Sequence, residues 1–157
     1  YIYHPQLHEV ADLANAFPGA TIILNHVGGP LGVGPYAGKR DAIFPDWKES
    51  MTALAASPNV VVKVGGLVMP VCGFDWHERT MPTASGELAR ETAPYYLHCI
   101  EQFGPGRCMF ESNFPVDKVA CSYTVLWNAF KRLAHGFTPG EQAALFHDPA
   151  ARVYRLS

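Results

Sequence analysis

The chain has 157 residues, of which 48% are hydrophobic and 17% are charged, and its formal net charge is −2 at pH 7. This composition is typical of one globular domain with its own core. The small net charge gives no electrostatic reason to expect a nucleic acid or an anionic membrane as a partner, and no apolar run approaches the roughly 20 residues that a membrane helix needs.

The four cysteines contain no C-x-x-C pair, which argues against a zinc knuckle. A chain of this length can build a core without disulfides. Disulfides remain an alternative, but the pattern favours reduced, mostly buried thiols and with them a cytoplasmic location. These cysteines are Cys72, Cys99, Cys108 and Cys121.

The first half of the chain alternates between helical and strand patterns. It opens on YIYHPQLHEV, without an initiator methionine, as if an apolar strand had just ended. We therefore expect a fragment of a longer domain. Apolar residues at helical spacing and short β-branched runs then predict a helix over 7–17, a strand over 20–26, a helix over 44–57 and a strand over 58–67.

The second half continues the same alternation of helices and strands. A helix is predicted over 86–103, bent or started afresh at Pro94, followed by a strand over 107–112 and an amphipathic helix over 121–136. Thr138 and Asp148 are predicted to cap two terminal helices. Buried strands that alternate with helices indicate an α/β fold with a parallel sheet and right-handed crossovers.

Two long connections lack a regular pattern. The segment 28–38 is rich in glycine and proline, and the segment 69–85 contains Trp76 and His77. Loops of this length often have a function. They are predicted either to form a wall or lid over a substrate or to make subunit contacts in a homo-oligomer.

Polar side chains follow each predicted strand at its carboxyl end, where parallel sheets place their active sites. Alternation puts His26 on the face of Leu24, Lys63 on the face of Val61, and Asn113 on the face of Glu111. Taken singly, a histidine in such a place is more often structural and a lysine more often solvated. Their joint placement predicts one shared rim. RCMFESNFPVDK, the last of these stretches, also contains Ser112 and Asp117.

Three motifs, in this order and spacing, resemble the C-terminal half of the amidohydrolase-related TIM-barrel hydrolases. They are FPGATIILNHVGGP, SPNVVVKVGG and FGPGRCMFESNFPVDK, and YHPQL at the start is similar to the segment after the fifth barrel strand. The resemblance implies that residues 1–157 form a single domain fragment with barrel strands six to eight and the terminal helices. A complete (β/α)₈ barrel has about 250 residues, so the barrel is incomplete.

The resemblance also implies the roles of individual residues. His26 matches a histidine that binds metal in metal-using relatives, so it is a candidate ligand for a divalent ion such as zinc. Asn113 stands where those relatives have an aspartate; an amide is a poor ligand and a poor base, which indicates less reliance on a metal. The predicted catalytic residues are His26, Asn113 and Glu111, and the predicted substrate-binding residues are Lys63, Gln6, His4 and Trp76.

Two of these roles have alternatives. His26 either ligates a metal or polarises a carbonyl group. Glu111 is either a general base or the partner of Lys63 in a structural ion pair. Lys63 is predicted to neutralise a substrate carboxylate or an oxyanion, and Asn113 to orient water or substrate.

The family includes sugar-lactone and pyrone-dicarboxylate lactonases and some decarboxylases. The resemblance implies a hydrolase that opens a cyclic ester of a carboxylic or sugar acid, with a small molecule as substrate. The alternatives are a zinc-dependent decarboxylase and a non-catalytic partial barrel. Three strands cannot close a cylinder, so we expect the isolated chain to be inactive, with two sheet edges and an apolar face exposed.

Overall fold

Three short parallel strands and six α-helices make up the computed structural model, which describes residues 1–156. No helix within these residues is long and apolar enough to cross a membrane. The elements are α1 (Leu7–Ala16), β1 (Ile22–Leu24), α2 (Arg40–Ala55), β2 (Val60–Val64), α3 (Ser85–Phe103), β3 (Cys108–Phe110), α4 (Tyr123–Ala134), α5 (Pro139–Phe146) and α6 (Asp148–Tyr154).

The predicted order of strands and helices is confirmed, with differences at three helices. Helix α2 begins at Arg40, four residues before the predicted start, and includes Pro45. Helix α3 is continuous through Pro94 and is not started afresh there. Thr138 caps α5 in a capping box with Glu141. The predicted cap by Asp148 is wrong, because Asp148 is already the first residue of α6.

The sheet has the order β1-β2-β3, and both strand pairs are parallel. Leu24 pairs with Val62, and Val62 pairs with Cys108, so these side chains share one face. They pack into the main hydrophobic core. Lys63 pairs with Met109 on the opposite face, which corresponds to the interior of a barrel. We call these the helix-side face and the inner face.

The helix-side face supports an aromatic core beneath α2, α3 and α4. Trp47 is 1% exposed and its indole N–H donates to the carbonyl of Val27 at 2.8 Å. The ring of Phe110 stacks on that of Phe130 with centroids 4.5 Å apart. All four cysteines are buried free thiols, which confirms the prediction from their spacing.

The inner face is not bare, and the predicted exposure of an apolar sheet face is wrong for its two central residues. Val61 is 5% exposed and Met109 is 3% exposed. Helix α6 turns back across this side: Val153 lines the same cleft as Val61, and the ring centroid of Tyr154 lies 5.7 Å from Nζ of Lys63. The outer edges of β1 and β3 pair with no further strand among residues 1–156.

Candidate functional site

The carboxyl ends of the strands bring His26, Lys63 and Glu111 into one cluster. Nδ1 of His26 lies 2.5 Å from Oε1 of Glu111, and the backbone N–H of His26 donates to the same oxygen at 3.1 Å. The other oxygen, Oε2, lies 3.3 Å from Nζ of Lys63. The side chains of His26 and Glu111 are 10% and 11% exposed. Neighbours from two other strand ends therefore occupy both oxygens of Glu111.

His26 reaches this cluster because the chain leaves β1 after Leu24. Leu24 lies on the helix-side face, so strict alternation would direct His26 toward the helices and away from Lys63. Instead, His26 and Val27 adopt left-handed conformations with φ of 55° and 47°. The predicted sharing of a face by His26 and Leu24 is wrong, although His26 does join Lys63 at the carboxyl ends of the strands.

The Gly65-Gly66 pair after β2 makes room for the contact between His26 and Glu111. A Cβ atom at Gly65 would lie 2.5 Å from Cγ of Glu111, and a Cβ atom at Gly66 would lie 2.5 Å from Nδ1 of His26. Gly66 also has a φ of 75°, a conformation that disfavours residues with a Cβ. Both side chains therefore pack directly on this glycine backbone.

The charges within the cluster are mutually compensated. Burial raises the pKa of Glu111, but the hydrogen bond from His26 and the charge of Lys63 outweigh burial and hold that pKa below its usual value. Burial lowers the pKa of Lys63, but the Glu111 carboxylate outweighs it, so the pKa is raised. Because an ionised carboxylate only accepts hydrogen bonds, Nδ1 of His26 carries the proton. In the neutral imidazole, the Nε2 atom then has a free lone pair.

Asn113 joins the site through Asp117, which is fully buried with 0% exposure. The amide Nδ2 of Asn113 donates to Oδ1 of Asp117 at 2.6 Å. Burial raises the pKa of the Asp117 carboxyl to about 7, against an opposing effect of this hydrogen bond. The charges of His26 and Glu111 also act on that pKa. The pKa of Asp117 therefore depends on the charges of this cluster.

Sequence reasoning gave Asp117 no role, although it lies in the same polar stretch as Asn113. The available signal was its spacing of four residues from Asn113 across a proline. Nothing in the sequence shows that Val116–Val119 form a 3₁₀ turn that includes Asp117 and in which Asp117 is buried.

His4 and Gln6 hold the N-terminal segment in place. Nδ1 of His4 accepts a hydrogen bond from the backbone N–H of Leu31 at 3.1 Å, and burial lowers the pKa of this imidazole. Oε1 of Gln6 accepts from the backbone N–H of Tyr3 at 3.2 Å. Both side chains thus accept hydrogen bonds from nearby backbone N–H groups. These groups are not directed at Glu111 or Lys63.

Trp76 belongs to the packed part of the connection between β2 and α3. Its ring is 3% exposed and stacks on Phe74 with centroids 4.5 Å apart. Trp76 also lines a cleft together with Lys118 and Cys121. The structure therefore places Trp76 beside the turn that follows β3 and not in contact with His26, and its predicted substrate contact stays a prediction.

The described residues do not form a complete metal site. No three His, Cys, Asp or Glu side chains within residues 1–156 group closely enough to hold an ion. His26 offers Nε2, with its other ring nitrogen on a carboxylate as metal-bound histidines usually have it. His26 therefore fits as one ligand, but a zinc ion would need further ligands from outside this part of the chain.

The amidohydrolase family model matches residues 2–156, and this chain belongs to the amidohydrolase family. It is 40% identical over 155 residues to the uncharacterised protein y4mH of Sinorhizobium fredii, covering 99% of this chain and 46% of that protein. It is 29% identical over 158 residues to an L-fucono-1,5-lactonase of Burkholderia multivorans, covering 99% of this chain and 50% of the lactonase.

A solved structure has the same fold. A crystal structure of an amidohydrolase from Burkholderia multivorans with bound zinc superimposes with a TM-score of 0.83 and 28% identity, over 100% of this chain and 51% of that chain. The chain thus spans about half the length of the relatives it matches. The predicted α/β fold, part of a (β/α)₈ barrel, is confirmed. The assignment of the strands as sixth to eighth stays a prediction.

Proposed function

We propose that the intact protein hydrolyses the ring ester of a sugar-derived lactone, with His26 as the group that activates water. The observation that carries this proposal is the 2.5 Å contact between Nδ1 of His26 and Oε1 of Glu111, which leaves Nε2 as a free base. Membership of the amidohydrolase family and the similarity to an L-fucono-1,5-lactonase support this reaction class.

In the proposed reaction, Nε2 of His26 takes a proton from a water molecule whose oxygen attacks the carbonyl carbon of the lactone. A C–O bond to the water oxygen forms and the ring C–O bond breaks. The proton on His26 passes to the departing ring oxygen, and the product is an open-chain hydroxy acid. Glu111 stabilises the transient imidazolium and fixes its orientation, as the carboxylate does in a Ser-His-Asp triad.

In this mechanism the general base is His26. From the sequence, Glu111 was one candidate for that role. Both carboxylate oxygens of Glu111 already have partners, so neither is free to accept a proton from water. Lys63 directs its ammonium group at Glu111, and an ammonium group has three N–H donors. The donors that Glu111 does not use are available for the developing oxyanion.

The zinc-dependent decarboxylase makes a different demand. It requires several metal ligands, of which His26 would be one. Asn113 replaces the aspartate ligand of metal-using relatives, and its amide nitrogen donates to Asp117. Stoichiometric zinc in the intact protein would favour this alternative. The non-catalytic alternative predicts that His26 can be replaced without effect on any reaction.

The test is acid release from 1,4- and 1,5-lactones of sugar acids by the intact protein and its His26→Gln variant. Loss of general-base catalysis is expected to lower kcat by about 10²- to 10⁴-fold. His135→Gln, at an exposed position after α4, is the control and should retain activity. Full activity of the His26→Gln variant would overturn the mechanism. Residues 1–157 alone are expected to give no turnover.

A further inference from the structure

The two ends of the Asn113 side-chain amide are in different situations. Its nitrogen, Nδ2, donates to Oδ1 of Asp117 at 2.6 Å. An amide has its donor and its acceptor on opposite sides of one planar group. With the nitrogen bound to Asp117, the carbonyl oxygen is the end that faces away from this carboxyl.

Backbone hydrogen bonds fix the main chain of Asp117 beside Asn113. Its N–H donates to the carbonyl of Asn113 at 3.2 Å, and its own carbonyl accepts from the N–H groups of Ala120 and Cys121 at 3.1 and 3.3 Å. The residue is fully buried, and its second oxygen, Oδ2, has no hydrogen-bond partner among the described residues. A proton on this carboxyl would sit on Oδ2, so Oδ1 remains an acceptor for Asn113 in either ionisation state.

Within residues 1–156, the positive charge of Lys63 at this rim is compensated by the carboxylate of Glu111. Nζ of Lys63 is already paired with Oε2 of Glu111, and Nδ1–H of His26 is directed at Oε1. Besides the N–H donors of Lys63 that Glu111 leaves unused, the rim therefore presents an acceptor, Nε2 of neutral His26. A second acceptor from Asn113 would suit a ligand that brings hydroxyl donors and would repel a carboxylate.

We propose that Asp117 is a positioning residue that turns the carbonyl oxygen of Asn113 toward the rim, so that the site selects an uncharged, hydroxyl-bearing substrate over one that carries a carboxylate. The positioning of Asn113 by Asp117 is inferred only from the contacts of Asp117 and does not depend on the proposed function. The selection of a neutral polyhydroxylated lactone rests on the proposed lactonase function.

The positioning step is tested by the side-chain amide signals of Asn113 in ¹⁵N-labelled protein, identified by their loss in Asn113→Ser. One Nδ2 proton is expected to exchange slowly with solvent and to have a chemical shift that differs from that of free asparagine. In Asp117→Leu both features should disappear, whereas Asp117→Asn, whose amide oxygen can still accept, should keep the slow exchange.

Two outcomes would overturn the positioning step. One is a wild-type Asn113 amide that exchanges as fast as an exposed asparagine such as Asn15. The other is a slow proton that persists unchanged in Asp117→Leu. If Asp117→Leu does not fold, the wild-type exchange rate and the Asp117→Asn spectrum decide the matter.

The selection step is tested in the intact protein with a matched pair: an aldonolactone and the aldarolactone that differs by a terminal carboxylate. The neutral compound is expected to have a kcat/KM at least about tenfold higher, and Asp117→Leu should lower that value mainly through KM, with Asp117→Asn rescuing most of it. Equal or better use of the aldarolactone would overturn the selection step. Failure to hydrolyse either lactone would count against the proposed function, while the Asn113 signals would still decide the positioning step.

Discussion

Glu111 contacts His26 twice, through the imidazole Nδ1 at 2.5 Å and through the backbone N–H at 3.1 Å, although 85 residues separate them in the sequence. A carboxylate that binds the backbone and the side chain of one residue fixes both its position and its ring orientation. The opposite oxygen of Glu111 is fixed in turn by Lys63 at 3.3 Å. This one side chain therefore links all three strand ends.

Glu111→Gln should destabilise the protein by about 1–3 kcal/mol at neutral pH, because Lys63 loses its ionic partner and a buried hydrogen-bond donor loses a charged acceptor. The measurement is the free energy of unfolding from urea titration. Glu49→Gln, on the exposed side of α2, is the control and should change this free energy by less than about 0.5 kcal/mol. The depressed pKa of Glu111 means that its stabilisation is present above the ordinary carboxylate pKa and is lost as the pH falls through the folded value. The two proteins should therefore converge in acid.

Gly66→Ala should cost more than a glycine replacement usually does. The added Cβ would lie 2.5 Å from Nδ1 and 2.7 Å from Cγ of His26, and the φ of 75° is unfavourable for alanine. We expect a loss of roughly 2 kcal/mol or more in unfolding free energy, together with a shift of the His26 ring signals in NMR spectra. Gly86→Ala, which has open space around its Cβ in helix α3, should be neutral or stabilising. Equal behaviour of the two variants would contradict the packing described for Gly66.

The layout of the fold was predictable because local patterns determine it. The runs that contain Ile22 and Val60 are short and rich in β-branched residues, which favours buried strands over helices, and Thr138 followed by Pro139 is a strong helix start. With strands and helices in alternation, a parallel sheet and a common edge for its strand ends follow. The proximity of His26 and Lys63 at this edge was therefore predictable from the sequence.

The details of the site were not predictable, because they depend on backbone angles and on contacts between distant segments. No local rule indicates that His26 leaves the strand with a φ of 55°, yet this turn decides which face its ring takes. Asp117 is fully buried, and its charge acts on the pKa values of Cys72, Tyr96 and Cys121, which come from three separate segments. Such an arrangement exists only once the chain is folded.

Val153→Asp should destabilise the fold, because it places a carboxylate against the buried inner face of the sheet near Val61. A loss of about 1–3 kcal/mol in unfolding free energy is expected, accompanied by increased binding of a hydrophobic dye as α6 detaches. Leu156→Asp, at a side chain that is 65% exposed, is the matched control. If the two substitutions have the same small effect, α6 does not cover this face in solution.

Asp117→Asn should remove a pH dependence of stability between about pH 4 and pH 7. Burial raises the pKa of Asp117 from 3.8 to about 7, so the folded protein binds more protons than the unfolded chain in this interval. The contribution of Asp117 is therefore fully present below pH 4, falls as the pH rises, and is constant above the folded pKa. The titratable groups that interact electrostatically with this carboxyl are His26, Glu111, Cys72, Tyr96 and Cys121.

Urea titrations at several pH values would measure this effect as a difference between the wild-type protein and Asp117→Asn. The difference is needed because the lowered pKa values of His4 and His98 make stability rise with pH in part of the same interval and so oppose Asp117. In the Asn variant the contribution of Asp117 is removed and the other contributions remain, so its stability relative to the wild type should improve steadily from pH 4 to pH 7. Asp12→Asn, an exposed substitution in α1, should follow the wild-type curve. Parallel curves for wild type and Asp117→Asn would mean that Asp117 is ionised in the folded protein at pH 5, which would contradict the raised pKa.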